Sequence, residues 1–192
     1  MKKTFSFVLV MSLFFLLGCT KQSSPTIVPT APTIPTTSLE ENIPARQTYE
    51  SKIDGFLIQF PSTWTAQEKV YGSSVTFNSP TNETDKIKEN VAINTSKLNN
   101  TYTIDEYFTA NKERLITQTW YVEIENSTIK INEMDAKKII FKSIYKDYKL
   151  QFEEIFIIKN TTLYTITYTA TEATFNDFAK QVDEMIATFE IK

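Results

Sequence analysis

Histidine is absent from this 192-residue chain. The commonest general base and metal ligand is therefore missing, and neither a Ser-His-Asp nor a Cys-His site can be assembled. Cysteine occurs once, at Cys19, which excludes a disulfide within the chain. The three glycines, Gly18, Gly55 and Gly72, are too few and too scattered for a phosphate-cradling loop. No D-x-D-x-D-G loop is present, so an oxygen-only Ca²⁺ site has no motif behind it, and Asp85 to Glu89 reads as a solvated turn. No basic cluster offsets the net charge of −3, and nucleic acid is not an expected partner. Glu153 and Glu154 are neighbours in a strand pattern, so their side chains point to opposite faces. Glycosidase chemistry needs two carboxyls converging across a cleft; a solvated edge or bulge accounts for this pair. Asp105 and Glu106 are explained by a helix N-terminus. The composition predicts no enzyme, no cofactor and no metal.

The N-terminus is rich in what the rest lacks. Lys2 and Lys3 precede an apolar run from Phe5 to Leu17. Its length of about 13 residues suits a secretory leader and falls short of the ~20 that span a bilayer. The run ends in Leu16-Leu17-Gly18-Cys19, which resembles the lipobox of bacterial lipoproteins. The resemblance implies a diacylglycerol on Cys19 and cleavage before it, with residues 1–18 removed. Two or more acyl chains, at ~0.8 kcal/mol per buried CH₂, make a lasting anchor. The expected location is the extracytoplasmic face of the cell membrane, with the membrane itself as first partner.

Beyond Cys19 the composition turns to Thr, Ser and Pro. Pro25, Pro29, Pro32 and Pro35 fix φ and remove donors, so residues 19–46 read as an extended linker. Residues 47–192 are the size of one domain.

Strands dominate that domain. Phe56, Ile58 and Phe60 alternate to one side before Pro61. Val75 with Phe77 and Val91 with Ile93 repeat the pattern. Val122 and Ile124 lead to Ile129 and Ile131 through a polar turn at Glu125-Asn126-Ser127. Lys138 to Tyr145, Leu150 to Ile158 and Leu163 to Ala170 follow. Ile155-Phe156-Ile157-Ile158 is apolar on both faces, as in a strand covered twice. Thr103-Ile-Asp-Glu106 is a capping box, opening a helix with Ile104, Tyr107, Phe108, Leu115 and Ile116 on one stripe. A second helix, N-capped by Thr174 with Asp177 at N3, aligns Phe175, Phe178, Ala179, Val182, Met185, Ile186 and Phe189. A doubly covered sheet with two helices predicts an α+β fold, a three-layer α/β/α sandwich on a mostly antiparallel sheet of six to seven strands.

The stretch Gly55-Phe-Leu-Ile-Gln-Phe-Pro-Ser-Thr-Trp64 resembles the opening signature of the PsbP family: an aromatic strand, Pro, small residues, Trp. Gly72-Ser-Ser-Val-Thr-Phe-Asn-Ser-Pro80, Asn90-Val-Ala-Ile-Asn94, the Thr103 helix, Tyr164-Thr-Ile-Thr-Tyr-Thr-Ala170 and Ile186-Ala-Thr-Phe189 follow in the family's order. The resemblance implies the PsbP-like sandwich and a docking or assembly role rather than catalysis. Photosynthetic members are linked to manganese or calcium; any part of that role resting on histidine does not transfer to this chain. The fold alone does not name the partner.

Aromatic residues are the remaining candidates for recognition. Trp64 is expected to plug the core. Trp120 and Tyr121 directly follow the first helix, and Tyr145 and Tyr148 flank a hairpin turn at Lys146-Asp147. These four are the candidate partner-binding residues, as anchors for another envelope protein. A small apolar or sugar ligand held between sheet and helix is the alternative.

Overall fold

The computed structural model describes residues 45–80, 87–145 and 147–192. The leader, Cys19 and the linker up to residue 44 lie outside the described residues. The fold begins with a strand that the sequence pattern did not reveal, β1 (Arg46–Ser51), so Arg46 belongs to the domain. It pairs antiparallel with β2 (Phe56–Pro61), and β2 with the short C-terminal β10 (Glu190–Ile191). The turn between β1 and β2 uses Gly55 at φ +68°, a left-handed value that favours glycine.

A larger sheet has the order β3-β4-β5-β9-β8-β7-β6, with every neighbouring pair antiparallel. Its strands are β3 (Thr65–Glu68), β4 (Val75–Asn78), β5 (Asn90–Lys97), β6 (Val122–Ile131), β7 (Met134–Tyr145), β8 (Tyr148–Lys159) and β9 (Thr162–Thr171). After β5 the chain crosses one face as helix α1 (Ile104–Leu115) and enters the far edge as β6. The β6–β9 meander then works back until β9 pairs with β5. Helix α2 (Phe175–Ile186) covers the other face beside the three-stranded sheet. The predicted three-layer sandwich on a seven-stranded antiparallel sheet is present, with a small second sheet added to the α2 layer.

Two cores result. The α2 side gathers Phe56, Ile58, Phe60, Phe77, Ile155, Ile157, Phe175, Val182 and Phe189. Rings fill it: Phe60 lies 4.7 Å from Phe77, and Phe56 lies 5.5 Å from Phe189. Trp64 plugs this core as expected, its indole N–H donating to Gln181 Oε1 at 3.2 Å. The α1 side gathers Tyr107, Phe108, Leu115, Phe141, Phe152 and Phe156.

Several sequence expectations are corrected. Glu125-Asn126-Ser127 is no turn: β6 runs unbroken from Val122 to Ile131, with a bulge between Glu123 and Glu125. The bulge absorbs the change of face that the polar triplet mimicked. The turn lies at Asn132-Glu133, both at positive φ, as a two-residue hairpin requires. The Thr103–Glu106 capping box forms on both arms. Ile116 does not join the α1 stripe; it caps the helix and is 61% exposed. Thr174 makes no side-chain cap on α2, because its hydroxyl donates to Glu89 Oε1 at 2.6 Å. Glu89 is accordingly buried, also accepting from Ser79, rather than solvated. Asp85 lies outside the described residues.

Glu153 and Glu154 do face opposite ways, but on β8, inside the sheet and flanked by β7 and β9, not on a solvated edge. Glu153 is 6% exposed on the α2 side. Burial raises its carboxyl above the ordinary value, against the pull of Lys138. Glu154 lies between Phe152 and Phe156 on the α1 side. The residue is half-buried and keeps some contact with solvent, yet burial pushes its carboxyl up to about 7 against the nearby Arg114 cation. A carboxyl raised on folding favours the fold when protonated. Its contribution is whole below the ordinary 4.5 and is lost as pH rises through about 7. Glu154→Gln should therefore match the parent at pH 4 and exceed its stability at pH 8 by about 2 kcal/mol, read from urea melts. Equal stabilities at pH 8 would mean that the carboxyl is solvated. Glu153 should leave a smaller slope of the same sign in the variant.

Candidate functional site

The four aromatic candidates come together. Trp120, Tyr121, Tyr145 and Tyr148 all pack, half-buried, against the α1-side core. Tyr145 and Tyr148 are cross-strand partners at the end of the β7–β8 hairpin. Tyr121 lies over Phe141 at 5.2 Å, and Trp120 lies 6.4 Å from Tyr121. Phe141 stacks on Phe152 at 5.0 Å with 13° between the rings. The stretch after α1 thus lays two aromatic rings across the sheet beyond the helix end, while the hairpin adds two tyrosines.

Exposed aliphatic side chains border this corner. Ile116 ends α1, Val122 and Ile124 open β6, and Ile144 on β7 is 65% exposed. Val122 stands opposite Lys142 and so beside Ile144 on one face of the sheet. Among the described residues, the only other large apolar side chain so exposed is Ile53, in the β1–β2 turn. Sequence reasoning missed these four as surface residues. Their alternation reads as core, and only the position of α2, which packs on β2 and β9, leaves the β6–β7 end bare.

Glu123 fastens the corner. It accepts from Lys112 of α1 at 2.8 Å, from the Tyr121 hydroxyl at 3.0 Å and from Asn126 at 2.5 Å. Burial alone would raise its carboxyl, but these three donors outweigh it and hold Glu123 below the ordinary value. Burial, then Glu123 itself, pushes the Tyr121 phenol well above its ordinary value, so Tyr121 stays neutral and donates. Nothing in the sequence marked Glu123 or Lys112, because their pairing depends on where α1 ends relative to β6.

Chemically the corner offers flat rings, aliphatic side chains and a neutralised carboxylate. It suits binding. Among the described residues no three His, Cys, Asp or Glu side chains are grouped to hold a metal ion.

Comparison with curated proteins returns no match. Among solved structures, the chain is similar to cyanobacterial PsbP (CyanoP) from Synechocystis sp. PCC 6803, at 14% identity and a TM-score of 0.60, covering 81% of this chain and 98% of that one. It is also similar to LpqN, involved in cell envelope biogenesis of Mycobacterium tuberculosis, at 8% identity and a TM-score of 0.64, covering 77% and 91%. A third is PA94 from Pseudomonas aeruginosa, a putative regulator, at 14% identity and 0.52, covering 72% and 94%. At such identities the likeness is one of fold. The PsbP family model matches residues 45–191, from the residue before β1 into β10, and the chain belongs to the PsbP family.

Proposed function

We propose that this chain is a membrane-anchored extracytoplasmic lipoprotein whose PsbP domain is a non-catalytic docking module for another envelope protein. The observation that supports it most is the corner itself. The aromatic residues Trp120, Tyr121, Tyr145 and Tyr148 lie on the α1 face at one end of the sheet, with Ile116 exposed at the end of α1, while Val122 and Ile144 are exposed on the opposite face of the same end. Half-buried aromatic rings at a sheet end that also exposes aliphatic side chains are the pattern of a protein-binding region. The anchor reading rests on the leader and Cys19. The involvement of LpqN in cell envelope biogenesis fits an envelope partner.

A second reading, a carrier of a small ligand between sheet and α1, has one specific observation in its favour. Asn94 Oδ1 and Arg114 Nε are buried without a hydrogen-bond partner. A bound sugar hydroxyl would satisfy such atoms.

Two experiments test the first reading. Cys19→Ser should move the protein from the membrane to the soluble fraction or leave an uncleaved leader, read by fractionation and intact mass. Normal processing and membrane retention would refute the anchor. For the docking corner, Ile116→Glu combined with Ile144→Glu should leave stability within about 0.5 kcal/mol of the parent, since both sites are exposed. The same pair should abolish the protein crosslinked to the domain in intact cells. Trp120→Ala should weaken that partner by about 2 kcal/mol or more. An unchanged crosslink pattern would remove the corner from the reading, and a co-purifying small molecule in native mass spectra would favour the carrier.

A further inference from the structure

Strand β6 is the long open edge of the seven-stranded sheet. Among the described residues it pairs only with β7, while the opposite edge, β3, is four residues long. An open edge presents a row of unpaired N–H and C=O groups and is a template for another strand. The residues along it say which strand fits. Val122 and Glu123 stand at one end, Lys130 and Ile131 at the other.

From these features we infer that β6 pairs antiparallel with β6 of a second copy of this chain, about a two-fold axis at Ser127. The axis runs perpendicular to the sheet, so each face continues across the junction. Ser127 then stands opposite its own copy, Asn126 opposite Thr128, and Glu125 opposite Ile129. The extra residue of the bulge, Ile124, is taken up beside Glu125, since a bulged strand sets two residues against one. Past the bulge, Glu123 falls opposite Lys130 and Val122 opposite Ile131.

Face and charge agree in that register. Glu123 pairs with Phe141 and Lys130 with Asp135 on β7, so both lie on the α1 face of the sheet. Opposite charges directly across an antiparallel pair are favourable, and like charges are not; Glu123 is already bonded to Lys112 and Lys130 to Asp135, so the junction extends these two pairs into one row of alternating sign. Shifting the two strands by two residues in either direction takes Glu123 away from Lys130. Val122, which is 59% exposed, would meet the rim of Ile131 on the α2 face, and Ile124 the edge of Ile129. The pairing is isologous, each contact occurring twice, which is how closed dimers form. It also closes the edge, so the assembly stops at two copies through this strand.

Backbone direction is consistent as well. Ile131 and Met134 flank the two-residue turn and exchange hydrogen bonds, so every second residue back along β6, including Ser127, points its backbone at β7. Asn126, Thr128 and Lys130 then direct theirs outward, and Asn126 against Thr128 forms the bonded pair of the new junction. Ser127 against Ser127 is a non-bonded pair, with Cα atoms about 4.5 Å apart, inside disulfide range. The pairing takes up Val122, Glu123 and Ile124 at the border of the docking corner and does not use its rings, which lie on the α1 face.

The test uses the full chain, solubilised in detergent, in three forms. The parent should sediment as a dimer. Thr128→Pro removes an outward N–H without touching the β6–β7 ladder, and should weaken the dimer at least about tenfold with an unchanged circular dichroism spectrum. Ser127→Cys should give a covalent dimer on mild oxidation while the parent, with Cys19 alone, gives none. A monomeric parent overturns the inference, as does a dimer that survives Thr128→Pro or that Ser127→Cys fails to link. If Thr128→Pro does not fold, the Ser127→Cys link decides alone.

Discussion

Side chains of β8 alternate between two separate cores. Ile155 and Ile157 enter the one beneath α2, and Phe152 and Phe156 the one beneath α1. A shift of one residue in the pairing of β8 would exchange every one of them. Both neighbours hold the register over ten paired residues each, from Ala136 opposite Ile157 on one side to Leu150 opposite Thr171 on the other. The price of a strand covered twice is that polar groups in its middle, away from the exposed Lys149 and Lys159, are drawn into the layers. Glu153 and Glu154 are caught in this way, one in each layer, and both carboxyls are raised above the ordinary value by burial. Their enclosure follows from the arrangement that gives the sheet its stability.

The docking corner follows from a mismatch of lengths. At 1.5 Å per residue the twelve residues of α1 span about 18 Å, whereas β7 at about 3.4 Å per residue is roughly twice that. A helix this short covers only part of the face. Past Leu115 the cover is supplied by side chains of the connection to β6, chiefly Trp120 and Tyr121, and by Tyr145 and Tyr148 of the hairpin. Rings that close a core from the side keep one face toward solvent, so a half-buried aromatic surface arises where the helix runs out. Glu123 then holds that surface in place by joining Lys112 of α1 to Tyr121. A surface held by such bonds before any partner arrives loses little conformational freedom on binding.

What could be read from the sequence was what local rules determine. Alternation located most strands of the large sheet, the Thr103–Glu106 pattern located the start of α1, and the doubly apolar run Ile155–Ile158 showed that two layers had to exist. The four aromatic candidates were chosen one by one, yet they meet because the strand order brings the start of β6 beside the β7–β8 hairpin. Readings failed where a distant partner decides. Thr174 looks like a cap until Glu89 takes its hydroxyl. Glu125-Asn126-Ser127 looks like a turn because a bulge and a turn both interrupt alternation, and only the pairing with β7 separates them. β1 is too polar to stand out, since only Ser51 at its end is buried; its place is fixed by β2 and by the ion pair of Arg46 with Glu184.

The point of entry of the chain bears on how a tethered domain could present this corner. Arg46 opens β1 in the small sheet, which packs with α2 on one side of the large sheet. The rings of the corner lie on the other side, beneath and beyond α1. The thickness of the seven-stranded sheet therefore separates the start of the fold from the proposed docking rings. If the chain before Arg46 leads to a lipid on Cys19, the surface nearest the tether is the α2 layer, whose rings are spent on filling its own core. The rings left for a partner are on the side turned away from the tether. The absence of histidine fits the same division: no residue in the corner changes charge near neutral pH by its ordinary value, and the recognition it offers rests on shape and apolar area.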